Sequence, residues 1–260
     1  MGDTWDRNAG LEIGKLSGRF DLWTRARRFA GAWLTDWRQF RHSRVLRTCP
    51  ICGYHGVFIS VGHPRRWDSR CPNCGSRERH RLVQLWITQG GSDKLAGKRI
   101  LHFAPEKVVL RRMAGNERYE TADLKQSGVT HKVDITDTNL PDAAYDVVIA
   151  NHVLEHIPND RKAMRELFRL LRPGGLAVLT VPLNATRSTT YENLTVSSPA
   201  NRQAHFGAPD HVRYYGLDFV DRLAEAGFQV ETFRESPESE VKYGLLRDEC
   251  LYLARKPGAG

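Results

Sequence analysis

Tyr145-Asp146-Val147-Val148-Ile149-Ala150-Asn151-His152-Val153-Leu154-Glu155-His156-Ile157-Pro158 leads through a helical stretch to Leu171-Arg172-Pro173-Gly174-Gly175-Leu176-Ala177-Val178-Leu179-Thr180-Val181. Val147–Ala150 is short, β-branched and apolar, the pattern of a strand buried on both faces of a parallel sheet. Asn159-Asp160 offers a cap, after which Ala163, Met164, Leu167, Phe168, Leu170 and Leu171 recur at helical spacing. Pro173-Gly174-Gly175 stops that helix, and Leu176–Val181 reads as a second buried strand. One strand–helix–strand crossover of this kind predicts an α/β fold with ligand chemistry at the carboxyl ends of its strands.

Asp-Val-Val-Ile-x-x-x-Val-Leu-Glu-His-Ile, then a helix, then Leu-Arg-Pro-Gly-Gly resembles the fourth and fifth strands of class I S-adenosylmethionine (SAM)-dependent methyltransferases. The resemblance implies a doubly wound, Rossmann-like, seven-stranded sheet and SAM as cofactor. In that family the first strand ends in an acidic residue and a Gly-rich turn. Here His102 stands at the acid's place, and Ala104-Pro105-Glu106 follows Phe103 in place of the glycines. His-Phe-Ala-Pro-Glu, Val-Leu-Glu-His-Ile, Arg-Pro-Gly-Gly and Asp210-His211-Val212-Arg213, following a four-Cys segment, together resemble one branch of the family. There Glu106 would meet the cofactor's amino group.

The same resemblance supplies further cofactor positions. Asp123, ending the strand Tyr119–Ala122, matches the acid that accepts the ribose hydroxyls, with Leu124 beside it. Asp134 matches the acid near the adenine amino group, with the Ile135 amide adjacent, after a strand at Val129–Val133. Asn151 and His152 would line the pocket. Either acid taken alone is equally a turn or capping residue.

The 260 residues suit one α/β domain with a small addition, and 40% hydrophobic against 27% charged residues marks a soluble globular chain. No apolar run reaches membrane-spanning length and no apolar signal core is seen, so a cytoplasmic location is expected. The five cysteines are then expected reduced or metal-bound. The +9 net charge falls in residues 1–81, where Lys and Arg outnumber Asp and Glu by more than two to one.

Residues 1–45 are expected to form a basic amphipathic helical segment, with Leu22, Phe29, Trp33, Leu34, Trp37 and Phe40 interleaved with arginines. Such a stripe packs on a domain, or meets a membrane surface or nucleic acid. In residues 46–82, Cys49-Pro50-Ile51-Cys52-Gly53 and Cys71-Pro72-Asn73-Cys74-Gly75 form two Cys-x-x-Cys knuckles. Four thiolates at this spacing close a tetrahedron around Zn²⁺ and leave no open coordination position, so a structural zinc ribbon is expected. Cys250 reads as a small core residue.

Residues 83–260 are assigned to the methyltransferase domain, with 184–216 as an acceptor-side insertion ending in Asp210-His211-Val212-Arg213-Tyr214-Tyr215. His211 is the leading candidate for general base, then His156 and His152, because imidazole titrates near neutrality. Arg213, Tyr214 and Tyr215 are the acceptor-binding candidates, Arg213 for an anionic group. The charged stretch before Cys250 reads as a loop bordering that site. His152-x-x-Glu155-His156 also spells a metallopeptidase signature, but a strand before it and Pro158 after it leave no sustained helix to hold the ligands. A divalent ion in this loop remains an alternative role for His152, Glu155 and His156.

The reading is a SAM-dependent methyltransferase acting on a small-molecule acceptor, such as a sugar or specialised metabolite with an anionic group. The alternatives are an RNA methyltransferase that binds RNA through the ribbon and basic helix, and a non-catalytic scaffold with a degenerate SAM site.

Overall fold

The computed structural model describes Ala26, Arg27, Ala30, residues 45–62 and residues 66–258. Most of the expected basic helix, and His63 to Arg65, therefore lie outside the described residues. In chain order come β1 (Arg47–Thr48), β2 (His55–Gly56), β3 (Ile59–Val61), β4 (Arg66–Arg70), α1 (Glu78–Thr88), β5 (Ile100–Phe103), α2 (Lys107–Arg112) and β6 (Tyr119–Ala122). There follow β7 (Tyr145–Asn151), α3 (Asp160–Leu170), β8 (Leu171–Thr180), β9 (Tyr191–Glu192), α4 (Pro199–Phe206), β10 (Arg213–Tyr214), α5 (Phe219–Glu225), β11 (Gln229–Phe233), α6 (Pro237–Tyr243) and β12 (Leu251–Arg255). No helix of the described residues is long and apolar enough to cross a membrane.

The chain divides into two compact units, one of the residues up to Gly91 with Glu235–Glu249, the other of Ser92–Arg234 with Cys250–Gly260. In the larger unit the sheet runs β11-β12-β8-β7-β5-β6. β6, β5, β7 and β8 are parallel, while β12 and β11 close the sheet antiparallel. β7 is central and all seven of its residues are buried, as its apolar run requires. The Asn159 side chain caps α3 by accepting from the Lys162 amide, and Ala163, Met164, Leu167 and Leu170 turn into the core.

The sheet has six strands rather than the expected seven. Val129–Val133 runs beside β6 but makes a single bridge, Ala122 to His131. Backbone pairing is confined to its far end, where the His131 amide donates to Thr121, the Asp123 amide to His131 and the Val133 amide to Asp123. Before it, the Thr121 amide donates to Thr130 Oγ1 and the Thr130 amide to Thr121 Oγ1. Threonines that bond neighbouring backbone in this way compete with regular strand pairing.

The insertion has structure of its own. β9 pairs antiparallel with β10, and α4 is capped by Ser198 at its start and by Gly207 at its end. Gly216 closes the segment where only glycine fits, since a Cβ there would lie 2.5 Å from the Thr189 carbonyl carbon.

In the smaller unit α1 begins at Glu78, four residues before the Leu82 that opens its apolar run. Its Arg81 is fully buried and donates to the carbonyls of Ser69, Ser76, Tyr243 and Gly244. The charged stretch before Cys250, expected as a loop at the acceptor site, instead forms α6 and belongs to this unit. Ser236 caps it, a proline opens it, and left-handed Gly244 ends it, each a standard terminal signal.

Candidate active site

Strand order reverses about β5, which has β6 on one side and β7 on the other. Such a switch point opens a crevice at the carboxyl ends of the strands. Two residues there hold a left-handed backbone without being glycine: Ala104 (φ +48°), just after β5, and His152 (φ +52°), just after β7. This conformation is costly for residues bearing a Cβ and concentrates at functional sites. The first-loop glycines absent from the sequence are thus replaced by an alanine forced into a glycine-like turn.

His102 is completely buried in β5, its Nδ1 2.6 Å from the Tyr119 hydroxyl and its Nε2 unpartnered. Burial pushes its pKa down to about 4, against a smaller opposing pull from Glu106. The result is a neutral imidazole inside the sheet, near the carboxyl end of β5. Pro105 follows Ala104, and Glu106 is the N-cap residue of α2.

Asp123 follows β6, where its Oδ1 accepts the amides of Lys125 (2.6 Å) and Gln126 (2.7 Å), and Leu124 is exposed. Asp134 is exposed and accepts from the Thr136 amide, whereas Ile135 is buried. Asn151, the last residue of β7, is buried. Its Oδ1 takes the Thr180 hydroxyl at 3.3 Å, and its Nδ2 has no partner.

Beyond β7, Leu154–His156 forms one short 3-10 turn, which aims Glu155 inward. Glu155 is 0% exposed. Its Oε1 lies 3.0 Å from His152 Nδ1 and 4.0 Å from His211 Nε2, and its Oε2 has no partner. Burial pushes the Glu155 carboxyl up, but the His152 hydrogen bond and the nearby imidazoles outweigh it, holding the group below its ordinary range. His152 Nε2 is also buried and unpartnered. The rings of His156 and His211 meet edge to face at 4.7 Å. His211 Nδ1 lies 3.1 Å from the Phe206 carbonyl, and burial lowers its pKa against the pull of Glu155. All three candidate bases thus converge on one carboxylate.

Arg213 and Tyr215 do something other than bind an acceptor. Arg213 is 1% exposed and donates to the carbonyls of Leu154, Ile157 and Pro158. It also pairs with Glu192 at 3.0 Å and with Asp160 at 3.6 Å. Tyr215 is fully buried and donates to Asp160 at 2.8 Å, and Arg222 completes the network on Asp160 and Glu192. The guanidinium fixes the Glu155-bearing turn to the insertion and spends four of its five N–H donors there, with almost no exposed surface. Tyr214 is half-buried.

A cavity of about 240 Å³ at the amino ends of the same strands is lined by Lys94, Lys98, Asp146, Arg172 and Arg255, among others. It holds none of the candidate catalytic, cofactor-binding, acceptor-binding or metal residues, and in open α/β sheets ligands bind at the opposite edge.

In the smaller unit the two knuckles fold alike. The Gly53 amide donates to the Cys49 carbonyl and the Gly75 amide to the Cys71 carbonyl, each at 2.9 Å, with both glycines left-handed. Cys49 and Cys74 Sγ lie 3.6 Å apart and Cys52 and Cys71 Sγ 3.7 Å, and one sulfur from each lies within 4.8 Å of every other. The Ser76 hydroxyl lies 3.4 Å from Cys49 Sγ and 3.2 Å from Cys74 Sγ. Sharing hydrogen bonds with its neighbours, Cys49 first, brings the Cys52 thiol down to about 7. The cluster is the arrangement the spacing predicts.

What sequence reading lacks is the centrality of Glu155. The motif places it between two histidines, but only the turn at Leu154–His156 shows that the carboxylate points into the fold while both imidazoles gather on it.

The sequence model of the family described as methyltransferase domain matches residues 22–232 of this chain. Over 115 residues the chain is 32% identical to a Mycolicibacterium smegmatis protein named a "probable S-adenosylmethionine-dependent methyltransferase", covering 44% of this chain and 38% of that one. Over 136 residues it is 31% identical to the 27-O-demethylrifamycin SV methyltransferase of Amycolatopsis mediterranei, covering 49% of this chain and 44% of that one. The chain thus spans less than half the length of these two relatives. A solved SAM-dependent methyltransferase from Mesorhizobium loti is 18% identical, with a TM-score of 0.47 over 67% of this chain and all of that one. With a family match over most of its length and the strand order and crossover described above, the chain belongs to the class I SAM-dependent methyltransferases.

Proposed function

We propose that this chain transfers the methyl group of SAM to a hydroxyl of a small-molecule acceptor, with His152 as general base. The observation that carries the reading is the pair of left-handed residues, Ala104 and His152, facing the switch point at the ends of β5 and β7. The orphaned Asn151 Nδ2 beside them fits a polar ligand at that edge. Residues 102–106 and Asn151 would flank the methionine end of the cofactor, with Glu106 toward its amino group. Asp123, whose Oδ1 is taken by local amides, would offer Oδ2 to the ribose. Ile135 and Asp134 would border the adenine. The sulfonium of bound SAM supplies the reactive methyl, and the protein's own contribution is alignment and proton removal.

His152 takes the base's role ahead of His211 on geometry. Its Nδ1 faces Glu155, which fixes the tautomer and leaves Nε2 with a lone pair and no partner. His211 has its Nδ1 on a backbone carbonyl and is the less exposed of the two. The 27-O-demethylrifamycin SV methyltransferase acts, by its name, on a small molecule, which supports an acceptor of that class here. Zn²⁺ would sit among Cys49, Cys52, Cys71 and Cys74. Zn–S bonds of about 2.3 Å set sulfurs roughly 3.8 Å apart in a tetrahedron, close to the spacing found. With four thiolates its part is to hold the fold.

Labelled SAM presented with a panel of hydroxylated small molecules tests this reading. His152→Gln should lower kcat about 10²–10⁴-fold while leaving binding of S-adenosylhomocysteine intact. Unchanged turnover in that variant would remove His152 from the chemistry.

A further inference from the structure

We infer that Glu155, His156 and His211 form a second metal site, distinct from the cysteine cluster and suited to a divalent first-row transition ion. One oxygen of Glu155 and one nitrogen of each histidine lie within 4.8 Å of one another. Proximity alone does not make a site, but the hydrogen bonds around the cluster point the same way. His211 Nδ1 faces the carbonyl of Phe206 at 3.1 Å, and His156 Nδ1 faces the carbonyl of Asp210 at 3.3 Å. A carbonyl can only accept, so both rings carry hydrogen on Nδ1 and, when neutral, a lone pair on Nε2. That is the outer-shell arrangement metal-ligating histidines use, with the far N–H tied to backbone.

The third donor is a carboxylate with no exposed surface, whose Oε2 is bonded to nothing. Glu155 Oε1, which takes His152 Nδ1, also faces the His211 Nε2 lone pair across 4.0 Å with no donor between them, and Oε2 beside it is free. A cation shared between the free oxygen and that lone pair satisfies both. Two imidazoles and one carboxylate with positions left open are a donor set for Mn²⁺, Fe²⁺, Co²⁺, Ni²⁺ or Zn²⁺ rather than for the oxygen-seeking Ca²⁺ or Mg²⁺. Asp210, whose Oδ2 is 3.3 Å from His156 Nδ1, adds negative charge at the rim. Insofar as the methyltransferase reading holds, an open position beside His152 is where an acceptor hydroxyl would bind and become more acidic.

The test is to titrate zinc into full-length protein whose cysteine cluster is already zinc-loaded, and to count bound metal after gel filtration. A second equivalent is expected. It should weaken by more than about 100-fold in His156→Gln and in His211→Ala, beyond the roughly 10–100-fold that loss of an outer-shell partner costs. Co²⁺ in that second position should show nitrogen and oxygen ligation, with no thiolate charge-transfer band. S-adenosylhomocysteine titration and circular dichroism of each variant report on folding. Because His156 is partly exposed, its glutamine variant keeps the test sound if His211→Ala misfolds. Failure of the wild type to take a second equivalent, or its retention in the variants, overturns the metal site and leaves the methyltransferase reading standing. A second equivalent in a protein that ignores S-adenosylhomocysteine would do the reverse.

Discussion

The cysteine cluster and the Glu155 cluster both gather ligand-type side chains around a point, but the chain builds them by opposite means. The four sulfurs come from two repeats of one local turn, each closed by a left-handed glycine and one amide-to-carbonyl bond. Every ligand lies inside its own knuckle, so spacing alone reveals the site. The Glu155 cluster draws His152, Glu155 and His156 from the end of β7, and His211 from the far side of an insertion more than fifty residues away. Arg213 ties the two together through three backbone carbonyls. A site of local origin is legible from the sequence, whereas one assembled by a buried cation is legible only in three dimensions.

Breaking the local site should have the largest effect. Cys71→Ser, or stripping by a strong chelator, should remove a metal contribution on the order of 10 kcal/mol and unfold the smaller unit. Calorimetry should then lose one transition, and binding of S-adenosylhomocysteine by the remaining unit should survive. Loss of both together would show that the ribbon is also needed by the larger unit.

Breaking the long-range assembly should cost less but reach the active site. Arg213→Met leaves Glu192 and three carbonyls short of a donor, although Arg222 still holds Asp160. Stability should fall by about 3–5 kcal/mol, the range for removing one partner of a buried ion pair. His152→Gln turnover and Arg213→Met turnover should both be low, but only the second variant should also melt early. An Arg213→Met protein of wild-type stability would show that the cation is dispensable to the turn.

Acid sharpens the contrast by the smallest amount. His102 titrates near 4 in the folded chain against about 6.5 when unfolded, so the unfolded chain binds the extra proton first. The stability this contributes is complete above pH 6.5 and is lost as pH falls toward 4, by about 3 kcal/mol as an upper figure. Burial shifts His211 in the same sense. Denaturant midpoints of the larger unit measured between pH 4 and 8 should follow that slope, and His102→Gln should flatten it.

Much of the fold could be read in advance because its signals are local. The apolar run at Val147–Ala150, the cap at Asn159 and the break at Pro173-Gly174-Gly175 each specify their element without help from elsewhere. The missing seventh strand, the helical α6 and the structural employment of Arg213 and Tyr215 were not legible. Each depends on a partner elsewhere in the chain: the Thr130 hydroxyl taking the Thr121 amide, the smaller unit claiming Glu235–Glu249, or Asp160 and Glu192 reaching two arginines. An arginine at the end of a polar insertion suggests anion binding equally well whether its donors are free or spent.

The central claim is that SAM occupies the carboxyl edge of this sheet despite the alanine and proline in its first loop. Calorimetric titration of zinc-replete protein with S-adenosylhomocysteine tests it most directly, repeated on Asp123→Asn, which keeps an acceptor for the local amides but removes the charge. The account predicts micromolar binding by the wild type and a loss on the order of 100-fold in the variant, the worth of a charged hydrogen bond to the ribose. No binding by the wild type, or equal binding by both, would contradict it.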